Sequence, residues 1–130
     1  MTVEIVDSEK FFSLSEAQEL LPLVQKITHA HCSKLEPIQM KLDRMLSNDP
    51  RRSAVERQYQ AEVATWQGKI SRLGLKAAGL WIVEYSVGVE GRLSWRYPEL
   101  DIAYFSVKGD SKRVRLVDYI EENDPDWALS

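Results

Sequence analysis

The stretch Arg92–Phe105, RLSWRYPELDIAYF, gathers the side chains of this chain best able to do chemistry. Arg96, Glu99 and Asp101 stand around Pro98, between two short aromatic runs. A guanidinium beside a carboxylate can clamp an anionic group while the carboxylate acts as acid or base. The same residues across a tight hairpin can instead form an exposed cross-strand ion pair, worth roughly 0.2–1 kcal/mol. No nucleophile and no histidine lies near them in sequence, so the ion pair is the favoured reading.

The remaining clusters offer less. His29, His31 and Cys32 lie together, but ligands on one helix face stand three or four residues apart. His29 and Cys32 meet that spacing, whereas His31 falls in an apolar stripe. Two donors do not make a metal site, so no metal and no cofactor is expected. Lys108, Lys112, Arg113 and Arg115 form a basic patch diluted by Asp110 and Asp118. It lacks a recognition helix or stacking platform and reads as a solvated, charge-protected strand edge. GVEG is too short for a phosphate loop. Trp81, Trp95, Tyr97 and Tyr104 lie on successive strand-like segments, where alternation puts Trp95 and Tyr97 on one face and Ser94 and Arg96 on the other.

These residues need a scaffold, and the apolar spacing supplies one. Ser13 and Glu16 have the spacing of a capping box. Pro22 lies too deep for a first-turn proline, so a short helix is expected to end near Leu20 and a second to start at Pro22. From there Leu20, Val24, Ile27, His31, Leu35, Ile38, Leu42 and Met45 form one stripe of a long amphipathic helix, which Pro37 should bend. Asp49–Pro50 reads as N-cap and first helical position, with Ser53 and Glu56 as a further cap. Val55, Tyr59, Glu62 or Val63, Trp66, Ile70 and Leu73 continue the pattern to a stop at Gly74. Beyond Gly79 the period becomes two: LWIVEYS, LSWRY and DIAYFSV, with RVRLV as a fourth strand. Their spacing leaves no room for crossover helices, so the sheet is an antiparallel meander.

The sequence thus predicts one α+β domain over residues 1–130: an N-terminal segment 1–10, an antiparallel helical hairpin 11–74, a three- to four-stranded meander 79–118 and an acidic tail 119–130. The tail carries Trp127, which is expected to dock in an apolar groove, since an indole is costly to leave in water. A chain of 130 residues can bury about two-thirds of its unfolded surface. Its net charge of −3 argues against a dedicated nucleic-acid or anionic-membrane binder. The acidic start has no apolar signal region, and the longest apolar runs, such as GLWIV, are far too short to span a bilayer. The single Cys32 forms no internal disulfide, which suits the cytoplasm.

FSLSEAQELLPLV and the later GLWIVEYSVGVEGRLSWRYPELDIAYF resemble the two signature blocks of family 2203 of the domains of unknown function, small and mostly bacterial proteins. The resemblance runs from about Phe11 to Phe105. In that family the second block carries a Cys, a Glu and a His, a set suggestive of a metal or catalytic site. Here Ser94 stands at the Cys position, Pro98 at a Gly, and Phe105–Ser106 at Trp–His. Glu99 remains, and Glu84 replaces an Asp. The resemblance therefore implies no inherited activity. The expectation is a non-enzymatic interaction or assembly module that homodimerises through the helical hairpin. The competing reading is a small-molecule or anion-binding protein, or an enzyme, with its site at Glu84, Arg96 and Glu99.

Overall fold

The computed structural model describes residues 10–89, 91–110 and 112–129. Residues 1–9 of the expected N-terminal segment lie outside that range. The chain is α+β: helix α1 (Leu14–Arg44), helix α2 (Arg52–Arg72), strands β1 (Lys76–Gly79), β2 (Ile82–Val87), β3 (Gly91–Arg96), β4 (Tyr104–Val107) and β5 (Arg113–Arg115), helix α3 (Leu116–Asn123), and a 3-10 turn at Asp126–Ala128. The strands form one antiparallel sheet in chain order. No helix among the described residues is long and apolar enough to cross a membrane.

Helix α1 begins at the capping box. The Glu16 N–H donates to Ser13 Oγ at 3.1 Å, and the Ser13 N–H donates to Glu16 Oε1 at 2.9 Å. It does not break at Pro22; one helix of 31 residues passes through both Pro22 and Pro37. The reason lies in the exposed face. The prolines free the carbonyls of Gln18 and Ser33, both exposed residues on the solvent side of the helix, while Ala17, Leu21, Val24 and Leu35 are buried. Helix α2 starts later than Asp49–Pro50 predicts. Asp49 Oδ1 accepts the Arg51 N–H at 2.9 Å and so holds the preceding turn, and Arg51, the N-cap, has no side-chain cap. Arg52 Nη1 then donates to the carbonyls of Leu42 and Met45, at 3.0 and 3.2 Å, closing the end of α1. At the far end Gly74 takes φ +85° and Leu75 packs back into the core, as the sequence predicts.

The sheet has five strands where three or four were expected. Lys76–Gly79 is the addition: Lys, Ala and Gly are poor strand formers, so pairing with β2 and not propensity makes it a strand. The strand expected from Leu80 starts only at Ile82. Trp81 sits at φ +61°, a backbone geometry rare for a bulky residue. Its ring packs edge-on against Trp66 at 4.9 Å, and its carbonyl accepts the Tyr97 N–H at 3.0 Å. Gly91 is needed where β3 meets β4. A Cβ there would run into the Ser106 carbonyl and come within 2.7 Å of the Phe105 ring.

The core lies between one sheet face and the near halves of the helices. Val83, Tyr85, Val87, Leu93, Trp95 and Phe105 meet Ala17, Leu21, Val24, Trp66 and Ile70. The acidic tail is not loose chain. Leu116 is buried on α3, and Trp127 is 7% exposed, stacked 5.3 Å from Phe105.

Candidate functional site

Strand alternation buries one face of the sheet and leaves the other polar. Register puts Lys76, Glu84, Ser94, Tyr104 and Arg115 in one row across the five strands. Ser86, Arg92, Ser106 and Arg113 form the adjacent row on the same face. Ser94 and Ser106, at the Cys and His positions of the resemblance, and Glu84, at the Asp of the earlier strand, thus share one surface. Yet no group of three or more His, Cys, Asp or Glu able to hold a metal exists among the described residues. Ser94 and Ser106 are nevertheless buried, at 3% and 4% exposure.

The residues chosen from sequence are placed differently from one another. Glu84 sits against Arg92, with Oε1 2.9 Å from Nε. Glu99 folds back over its own turn, where Oε1 accepts the Arg96 backbone N–H at 2.8 Å and lies 3.5 Å from Arg113 Nη2. Arg96 is exposed on the rim, and Asp101 is exposed as well. The cross-strand pair expected between Arg96 and Asp101 or Glu99 is absent from the ion pairs of the described residues. Reciprocal backbone bonding in the turn takes its place: the Glu99 N–H also donates to the Arg96 carbonyl at 2.8 Å.

Two further arginines lie on this face, Arg92, which spacing does not single out, and Arg113 of the basic patch. Arg92 lies on the site face of β3, and the Arg113 guanidinium lies 4.2 Å above the Tyr104 ring. Arg113 is not the solvated edge residue the sequence suggests, because its Nε and Nη2 are buried and without a hydrogen-bond partner. The signal that reveals it is the register Ser106↔Arg113, which requires knowing that β5 pairs with β4.

A second feature lies at the far end of the helices. Thr28 Oγ1 accepts the Trp66 indole N–H at 2.9 Å, and His31 Nδ1 meets the Glu62 carboxylate. Beyond that level the hydrophobic core cluster stops. Leu35, Leu42 and Val55 are buried but belong to no sheet contact within it. Cys32–Arg44 therefore forms, with the start of α2, an arm about 20 Å long at 1.5 Å per residue. Ile38, Met45 and Tyr59 are half-buried along the arm, and Met40 and Leu46 are exposed. Burial pushes the Cys32 thiol pKa up, with Glu36 adding to the effect.

A family model described as an uncharacterized conserved protein (DUF2203) matches residues 10–115. No curated protein and no solved structure matches the chain.

Proposed function

The chain belongs to that uncharacterised family, and since the family description assigns no activity, we propose from the geometry that the protein is a non-enzymatic assembly module whose copies join through the helical hairpin. The observation that carries this reading is the arm beyond His31 and Glu62. Among the described residues its two helices bury one narrow seam, Leu35, Leu42 and Val55, and have no third layer from the core cluster. Short helices gain most of their stability from packing an apolar face, and a lone pair offers each helix only one seam. A second copy related by a two-fold axis supplies the missing layer as a four-helix bundle, covering Ile38, Met45 and Tyr59. The exposed Arg96 and Asp101 fit this reading, because they form a rim and not a shared pocket.

The test is sedimentation of the full chain beside the double variant Ile38→Glu, Met45→Glu. The wild type is expected to sediment as a dimer at tens of micromolar and the variant as a monomer with unchanged helical circular dichroism. A wild-type monomer, or a variant that dimerises equally well, contradicts the proposal.

A further inference from the structure

We propose that the tip of the helical arm docks on the acidic outer face of α3 in another copy of this chain, a head-to-tail contact distinct from the pairing of arms. The first support is a groove. It is open, has a volume of about 460 Å³ and lies at the end of α1, where Pro37, Met40, Lys41 and Arg44 face Asp49 and Arg51 across the turn. Helical spacing puts Met40, Lys41 and Arg44 on the side of α1 away from the buried Leu35 and Leu42, so packing against α2 does not cover them. Met40 is 53% exposed, and Lys41 and Arg44 are exposed as well.

The second support is charge complementarity. Asp49 is taken by Arg51, with 3.1 Å between Oδ2 and Nη2. The other carboxylates of this end of α1 face elsewhere: Asp43 accepts from Gln39 at 2.8 Å, and Glu36 stands close enough to Cys32 to help raise its thiol pKa. Lys41 and Arg44 make no ion pair among the described residues, so the groove presents two uncompensated cations. At the other end of the chain, Leu116–Leu129 carries Asp118, Glu121, Glu122, Asp124 and Asp126 and no Lys, Arg or His. All five carboxylates are exposed, and none is ion-paired among the described residues. Opposite potentials on two exposed surfaces steer them together and fix their register.

The third support is the match between the two helix faces. Leu116, Tyr119 and Ile120 turn α3 toward the core, which leaves Val117, Asp118, Glu121 and Glu122 on its outer side. Lys41 and Arg44 stand three residues apart, as do Asp118 and Glu121, so each pair spans one turn of its helix. Met40 and the 56% exposed Val117 give each face an apolar residue beside its charges. The occupant is another copy because one chain keeps these faces apart. Its α3 packs on β4 and β5, whereas the tip lies about 20 Å beyond the core at 1.5 Å per residue. A face that meets a different face on the next copy grows head to tail where it does not close into a ring. Exposed ion pairs are weak and screened by salt, so the contact belongs to low salt and high concentration.

The experiment is light scattering on the full chain at hundreds of micromolar, in about 10 mM and about 1 M salt, where charges reach over roughly 30 Å and 3 Å. The mass at low salt is expected to exceed the mass at high salt and to climb with concentration. Lys41→Glu with Arg44→Glu is expected to weaken this association at least tenfold. Glu121→Lys with Glu122→Lys is expected to do the same, although it brings the chain nearer to neutrality and would strengthen a merely non-specific attraction. The variant carrying all four substitutions, with both charges exchanged, is expected to associate again. The high-salt mass reports the pairing of arms separately, so a monomer there counts against that pairing and not against this contact. Equal masses at low and high salt, a rise that survives either pair of substitutions, or a four-substitution variant that does not associate overturns the proposal.

Discussion

The Tyr85 hydroxyl is buried in the core and has no hydrogen-bond partner, and burial raises its pKa well above the usual phenol value. An unpaired buried hydroxyl costs free energy without return. Tyr85→Phe is therefore expected to stabilise the fold by about 1 kcal/mol in urea unfolding. The sign extends to pH. Below pH 10, the ordinary value for a tyrosine, both folded and unfolded states keep the proton; above it the unfolded state ionises first. Wild-type stability should therefore fall as pH rises past 10, and the variant should lose less. An equal or lower midpoint for the variant at pH 7 contradicts this account. His31 is the other buried polar residue with a consequence. At 2% exposure it depends on Glu62, and Glu62→Ala is expected to cost about 1–3 kcal/mol by thermal unfolding. No loss would mean the pair is ornamental. His31 was legible from its place in the apolar stripe; its partner was not, since Glu62 stands 31 residues away on the other helix. The surroundings of Arg92 and Arg113 were hidden for the same reason, because what faces them lies across strands: Glu84 beside Arg92, and Tyr104 under Arg113, which reads in sequence as a solvated edge.

At the scale of elements, periodicity and caps could be read directly. The Ser13–Glu16 box and the Gly74 stop are local chemistry, and both stand as spacing predicts. The break at Pro22 did not occur, because a proline's cost depends on whether water can reach the freed carbonyl. That is a property of the face and not of the residue. The sequence reads Leu116–Asp118 as the end of the last strand and the residues from Tyr119 as acidic tail, whereas β5 stops at Arg115 and Leu116–Asn123 is helix α3: Leu116, Tyr119 and Ile120 have helical spacing and stop at Asp124, with φ +45°. The tail is expected to contribute stability. Trp127 stacks on Phe105 and Tyr119, so Trp127→Ala should destabilise the fold by about 3 kcal/mol, and truncation after Glu122 should lower the melting temperature. A truncated chain that melts like the full one would make these contacts irrelevant to stability.

At the scale of the molecule, the α+β architecture with a helical hairpin and an antiparallel sheet was legible because every connection after Gly74 is short. The strand count was not, because Lys76–Gly79 becomes a strand only by pairing. Nor could spacing show that the hairpin outruns the core, since a stripe of apolar residues looks the same whether it meets a sheet or only a neighbouring helix. That overrun is the basis for assembly through the arm, and it gives the most direct test. Light scattering on the full chain at tens of micromolar measures its mass without labels or substitutions. The account expects about 30 kDa, twice the chain mass of 15.0 kDa, as a two-fold pair requires. A mass of 15.0 kDa across that concentration range would contradict it.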